Sequence, residues 1–199
     1  GDSLYFDLRE DGRPSLEGGL MGVADEDNLV MRAARLLQAE TGTQLGANIR
    51  LEKLLPSGGG LGGGSSDAAT TLVALNRLWQ LDLPTDELAR LGLTLGADVP
   101  VFVHGKAAWA EGVGEKFAEV SPDEPWYLVV VPDCEVSTAA VFSAPELTRD
   151  CQPITIRDFL SGQTENVCEA VVRERYPAVD KVLNWLGQFA PARMTGTGS

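Results

Sequence analysis

Apolar positions along the chain follow two periods. Alternation in "LYFDL" and "ANIRLEKLL", with Ile49, Leu51 and Leu55 on the inner side, predicts strands covered on one face. Between them, "EDGRPSLEGGLMGVADED" reads as turns and loop. "NLVMRAARLLQAETG" carries the helical period, with Leu29, Ala33, Leu36 and Leu37 on one face, Asp27 as the cap and Gly42 past the end. A second helix is predicted from about Ser66 to Leu81, on the stripe Ala68, Leu72, Leu75 and Trp79. A third runs from Thr85 to Leu95, capped by Thr85. "VPVFVHGKAAWAEG" reads as two short strands about Gly105, and the continuous apolar run "WYLVVVP" as a strand covered on both faces. "STAAVFSA", "ITIRDFL", "NVCEAVVRERY" and "PAVDKVLNWLGQF" read as short helices, with Pro177 suited to a first turn.

Strands and helices mix without regular β-α-β alternation, which predicts an α+β fold rather than a doubly wound sheet. "SPDEPW", Ser121 to Trp126, is the most linker-like stretch and divides the chain into expected domains over 1–120 and 125–199. Composition changes this picture little: the 199 residues are 44% hydrophobic and 23% charged, ordinary for a globular chain. The net charge of −13 matters more, because it disfavours a nucleic-acid or anionic-membrane partner. It leaves room for an anionic small molecule, since helix N-termini and backbone amides bind phosphate inside acidic proteins. Cys134, Cys151 and Cys168 lack C-x-x-C spacing and read as reduced thiols. With no signal-peptide pattern at the start, a cytoplasmic location is expected. His104 is the sole histidine and reads as structural. The Met-less start and the glycine-rich "MTGTGS" read as part of a longer protein.

Candidate chemistry concentrates in "LLPSGGGLGGGSSDAATTLVALNRLW", which puts six glycines into the seven residues 58–64. Such a run destabilises a fold unless something must come close to its backbone. A dinucleotide fingerprint would need a strand directly before the loop, and Pro56 intervenes; a Walker loop would need a Lys after the last glycine, where Ser65 and Ser66 stand. A protein-kinase glycine loop lies in a hairpin and is not followed by a helix. What remains is a glycine loop running into a helix, with Ser65, Ser66 and Asp67 at its N-terminus. Unpaired N–H groups and the helix dipole make that terminus a seat for phosphate oxygens. Asp98, in "LGADVPVF", lies among apolar Val99, Pro100, Val101 and Phe102, and a buried carboxylate there is costly unless paired or functional. The residues alone leave a turn-capping role and a functional one evenly balanced.

"LPSGGGLGGGSSDAA" closely resembles the phosphate-binding second motif of the GHMP small-molecule kinases. "EDNLVMRAARLLQ", "ATTLVALNRLW", "LGLTLGADVPVFVHGKAAWAEGVGE" and "PARMTGTG" resemble the same family in the same order, from Leu4 onward. The resemblance implies a two-domain α+β fold with the active-site cleft between domains, and ATP with Mg²⁺ as cofactors. The acceptor it implies is a small alcohol, a cytidine-diphosphate-linked methylerythritol of non-mevalonate isoprenoid synthesis, phosphorylated at its 2-hydroxyl. It assigns Asp98 as the base and Asn28, Lys53, Pro56, Gly58, Gly59, Gly60, Leu61, Gly62, Gly63, Gly64, Ser65, Ser66 and Asp67 to the nucleotide site, with Ser66 also at the metal. Thr138, Ala139 and Phe142 are assigned to the acceptor, Phe142 by stacking on cytosine; relatives often have proline at position 139. Gly196, Thr197 and Gly198 resemble the start of the third motif. Another GHMP kinase or an ATP-binding fragment impaired in catalysis are the alternatives, and the oligomeric state is open. The family's N-terminal Lys-bearing strand and its Gly-Tyr-His segment have no counterpart in these residues.

Overall fold

The protein is described by a computed structural model over residues 1–19, 23–56, 59–111, 116–152, 154–160 and 165–198. Contacts divide it into two compact units: Gly1–Leu55 with Gly62–Ser121, and Pro56–Leu61 with Pro122–Ser199.

The first unit is built on three strands: β1 (Ser3–Arg9), β2 (Ser15–Gly18) and, after helix α1 (Leu29–Thr41), β3 (Gly46–Glu52). β3 is central, antiparallel to β1 and parallel to β2. Its alternation is strict, with Ala47, Ile49 and Leu51 buried and Asn48, Arg50 and Glu52 exposed. On the inner face α1 contributes Val30, Ala33, Ala34 and Leu37, and α2 (Gly63–Leu78) contributes Ala68, Ala69, Leu72 and Leu75. Trp79 closes that helix, buried, with its indole N–H donating to Gly46 O at 3.1 Å, so the far end of α2 is pinned to the start of β3. α3 (Thr85–Leu93), α4 (Val99–His104) and the hairpin β4 (Ala108–Glu111) and β5 (Lys116–Glu119) complete the unit.

Several local expectations change. Ser15–Gly18 is a strand, since β3 offers a free edge that a short polar segment can join. The cap of α1 is Asn28 rather than Asp27: Asn28 Oδ1 accepts from Val30 N at 2.9 Å, the ordinary N-cap geometry. α2 begins at Gly63, three residues before the expected Ser66, because Gly62 adopts the left-handed conformation that turns the chain into the helix. Thr85 is the first helical residue of α3, and Pro84 precedes it as cap. "VPVFVH" is helix α4, not strand: Pro100 sits in the first turn, where its fixed φ and missing N–H suit a helix, and Gly105 ends it with its N–H on Val101 O at 3.0 Å.

The second unit contains the short helices α5 (Thr138–Phe142), α6 (Ile156–Leu160), α7 (Val167–Arg175) and α8 (Pro177–Leu186). Val136, Val141, Ala144, Leu147, Cys168, Val171, Val172, Val179 and Leu183 form its core. Arg173 Nε donates to Asp180 Oδ1 at 2.7 Å and joins α7 to α8. "WYLVVVP" is not a buried strand: Trp126 and Tyr127 are fully or largely exposed, and the segment makes no ladder. A continuous apolar run becomes a buried strand only where neighbours pair with it, and no strand is present among the described residues of this unit. Among the described residues no helix is long and apolar enough to cross a membrane.

Candidate functional site

In the first unit the head of α2 is shaped by Gly62. Its φ of 67° places it in the left-handed region, and a Cβ there would lie 2.8 Å from Phe102 Cζ. Only glycine meets both conditions without displacement. The first backward hydrogen bond of the helix is Ser66 N to Gly62 O at 2.8 Å, so the amides ahead of Ser66 precede the intrahelical ladder. No acidic residue lies in this first turn. Gly63 and Gly64 keep side chains off this end, and Ser65 and Ser66 place half-buried hydroxyls just behind it.

Beside that end lies an ion-paired cluster. Lys53 Nζ donates to Asp67 Oδ2 at 2.9 Å and also pairs with Asp2 Oδ2. The other Asp2 oxygen accepts from Leu54 N at 2.6 Å and Leu55 N at 2.8 Å. Asp2 and Asp67 side chains are 3% and 6% exposed and Lys53 is 13%, so all three charges are largely withdrawn from water. Burial pushes the Asp2 carboxyl up, but the hydrogen bonds from Leu55 N–H, Lys53 and Leu54 N–H outweigh it and hold the group at about 2. Burial pushes Asp67 up; the bond from Lys53 works against this and the Asp2 charge works with it, leaving Asp67 above its ordinary value. For Lys53, burial favours the neutral form, yet the two carboxylates outweigh it and hold the ammonium above its ordinary value. The two acids shift in opposite directions because Asp2 has backbone donors that Asp67 lacks among the described residues.

Asp2 was not recognisable as a site residue from sequence. The register of β1 against β3 is what brings it there: Ser3 pairs with Glu52, and one further step sets Asp2 beside Lys53. Asn28 caps α1, its amide acceptor committed to Val30 N. Asp98 is exposed and precedes α4 without a side-chain capping bond. Its expected apolar enclosure is therefore corrected: Val99 and Pro100 turn into the core, and the carboxylate does not follow them. α4 packs on α2 through the buried Val99 and Val103, and the Phe102 ring lies against Gly62.

In the second unit, Thr195 Oγ1 donates to Gly60 O at 2.9 Å. Gly60 has a φ of 64°, and a Cβ on it would lie 2.3 Å from Thr195 O. The Thr195–Gly198 turn is itself held from α7, where Asn166 Nδ2 donates to Met194 O at 3.1 Å and Gly196 O at 2.7 Å. Thr138 and Thr197 hydroxyls share a 2.8 Å hydrogen bond, which fixes the head of α5 against that turn. Phe142 ends α5 and is 57% exposed, while its neighbour Val141 is buried, so the ring is not part of the core. Ala139 is exposed on the same helix. Pro56, Gly59 and Leu61 lie in this unit's share of the loop, whereas Gly58 lies outside the described residues. No group of three or more His, Cys, Asp or Glu fit to hold a metal ion occurs among the described residues.

These features are those of a small-molecule phosphotransferase domain: residues 28–106 match the model of the GHMP kinases N-terminal domain. The 4-diphosphocytidyl-2-C-methyl-D-erythritol kinase of Nitrosococcus oceani is 60% identical over 198 residues, spanning 100% of this chain and 71% of that protein. The protein of the same name from Pseudomonas syringae pv. syringae is 59% identical over 199 residues, with 100% and 71% covered. A crystal structure of 4-(cytidine 5'-diphospho)-2C-methyl-D-erythritol kinase superposes with a TM-score of 0.73 at 32% identity, covering 100% of this chain and 74% of that one. Homoserine kinase from Cytophaga hutchinsonii, at 16% identity and TM-score 0.59 over 98% of this chain and 64% of its own, shares the fold. The chain belongs to the GHMP kinase family, among the 4-diphosphocytidyl-2-C-methyl-D-erythritol kinases. Its fold class is accordingly the α+β one expected from the mixture of elements.

Proposed function

We propose that the chain transfers the γ-phosphate of ATP to the 2-hydroxyl of 4-diphosphocytidyl-2-C-methyl-D-erythritol, as a cytoplasmic step of non-mevalonate isoprenoid synthesis. The supporting observation is the head of α2, where a left-handed Gly62 delivers glycine amides and two serine hydroxyls to a first turn that carries no acidic residue of its own. The residues fit a polyphosphate: side chains are absent where oxygens would approach, and N–H groups precede the ladder. Gly59 to Ser66 and Asp67, with Pro56 and Leu61, would form the nucleotide cradle together with Gly58, and Asn28 and Lys53 would lie beside the nucleotide. Mg²⁺ would be held chiefly by ATP oxygens with help from Ser66 Oγ, and when bound it neutralises charge on the phosphates.

Asp98 would accept the proton of the acceptor hydroxyl, and its exposure leaves it accessible to that hydroxyl. Phe142, with its ring outside the core, would stack on the cytosine, with Thr138 and Ala139 flanking it. Residues 1–120 would supply the nucleotide and base functions and 125–199 the acceptor contacts. Phosphoryl transfer asks mainly for positioning and charge neutralisation, which suits a site built from backbone amides and few ionisable groups. The test is transfer of labelled γ-phosphate to that acceptor by the purified chain. Transfer upholds the reading; binding of ATP with no transfer to any alcohol rejects it.

A further inference from the structure

The Lys53 cluster stands where the glycine loop leaves β3 and where it rejoins α2. Asp2 accepts both amides at the departing end, Leu54 and Leu55, through a single oxygen. Its second oxygen pairs with Lys53, whose ammonium continues to Asp67 on the second turn of α2. At the returning end, a Cβ on Gly63 would lie 3.5 Å from Asp2 Oδ2 and 3.5 Å from Leu55 Cβ. The two flanks of the loop are thus packed against one another around one carboxylate.

We propose that Asp2 is a positioning residue of the phosphate loop, acting through Lys53 and Asp67 to set the spacing between Leu55 and Gly63. This rests on the reading of the loop as a nucleotide cradle. Charge supports a positioning role over a direct one. Two carboxylates and one ammonium leave the cluster with a net negative charge near the proposed phosphate site. By Coulomb's law alone that repels the ligand, so the cluster does not serve by attracting the phosphates. Geometry gives it another role: backbone amides stabilise a phosphate only when they are already aimed, and a loop of glycines has no stiffness of its own. A buried ion pair also fixes one arrangement firmly, because breaking it strands a charge away from water.

The experiment compares ATP affinity by calorimetry in the full chain and in Asp2→Asn, Asp2→Ala and Trp79→Phe. Asp2→Asn removes a negative charge, so a purely electrostatic role predicts tighter ATP binding. Positioning predicts about tenfold weaker binding. Trp79→Phe loses its bond to Gly46 at the far end of α2 and serves as the stability control; it lowers the melting temperature without changing affinity. Lys53→Met combined with Asp2→Asn is expected to cost no more than the greater of the two single changes, since both break one unit. Unchanged or tighter binding in Asp2→Asn overturns the proposal. If the parent chain itself fails to bind ATP, the cradle reading falls and amide exchange decides the clamp. Tenfold faster exchange at Leu54 and Leu55 in Asp2→Ala upholds it, and unchanged rates overturn it.

Discussion

Thr195 Oγ1 donates to Gly60 O at 2.9 Å, joining the glycine loop to a turn 135 residues further along the chain. The same turn is anchored to α7 by Asn166, so the loop carbonyl is oriented by the second unit's helical core. A neutral hydrogen bond of this kind is worth about 1 kcal/mol, or roughly fivefold in an equilibrium. Thr195→Val, which keeps shape and removes the donor, should weaken ATP binding by about that factor and lower the melting temperature by only about 2–4 °C. Titration calorimetry with parallel melts checks both.

Gly60→Ala should be more severe. Its φ of 64° is unfavourable for alanine, and the added methyl would meet Thr195 O at 2.3 Å with only backbone to yield. ATP affinity is expected to fall by at least about tenfold, beyond the effect of Thr195→Val, because the loop itself must move.

Asp98→Asn should separate binding from chemistry. The side chain is exposed and makes no capping bond, so its replacement should leave stability unchanged. Loss of a general base costs about 10²- to 10⁴-fold in turnover. Steady-state kinetics should show that loss in kcat with the KM for ATP nearly unchanged.

Phe142→Ala should act on the acceptor alone. With the ring 57% exposed, truncation removes little core. Base stacking on an aromatic is worth about 1–3 kcal/mol, so the acceptor KM should rise by about tenfold or more. The KM for ATP serves as the internal control.

Asp2 and Asp67 should respond to pH in opposite senses. Asp2 is held at about 2 against an ordinary 3.8, so its stabilisation is complete above 3.8 and is lost as pH falls toward 2. Asp67 lies above its ordinary value, so its contribution is present below 3.8 and is lost as pH rises through the higher folded value; its charge is a cost at neutral pH. At pH 7, Asp2→Asn should therefore lower the melting temperature and Asp67→Asn should preserve or raise it. The deficit of Asp2→Asn should shrink as the pH approaches 2. Melts across that range check the sign of each.

The elements set by local pattern were legible in sequence, and those set by distant partners were not. The α1 and α2 stripes and the inward Ile49 and Leu51 follow directly from period, because one neighbouring surface covers each; Leu55, expected on the same face, lies past the end of β3 at Glu52. "VPVFVH" has the apolar pattern of a strand, while Pro100 and Gly105 decide for a helix. "WYLVVVP" stays outside any sheet, since apolarity alone cannot supply a pairing strand. In the site, the glycine loop announced itself through a composition no ordinary segment tolerates. Asp98 did not stand on burial, because its carboxylate is exposed, and its role rests on family resemblance alone. Asp2 left no signal at all: its partner lies 51 residues away and meets it through strand register.

Phosphoryl transfer to one acceptor is tested by supplying γ-labelled ATP, Mg²⁺ and either 4-diphosphocytidyl-2-C-methyl-D-erythritol or homoserine to the purified chain. Label is expected on the cytidine-linked acceptor, none on homoserine, and loss of at least about 10²-fold in rate for Asp98→Asn. Label on homoserine, or ATP bound with no label transferred to either alcohol, would contradict the proposed function.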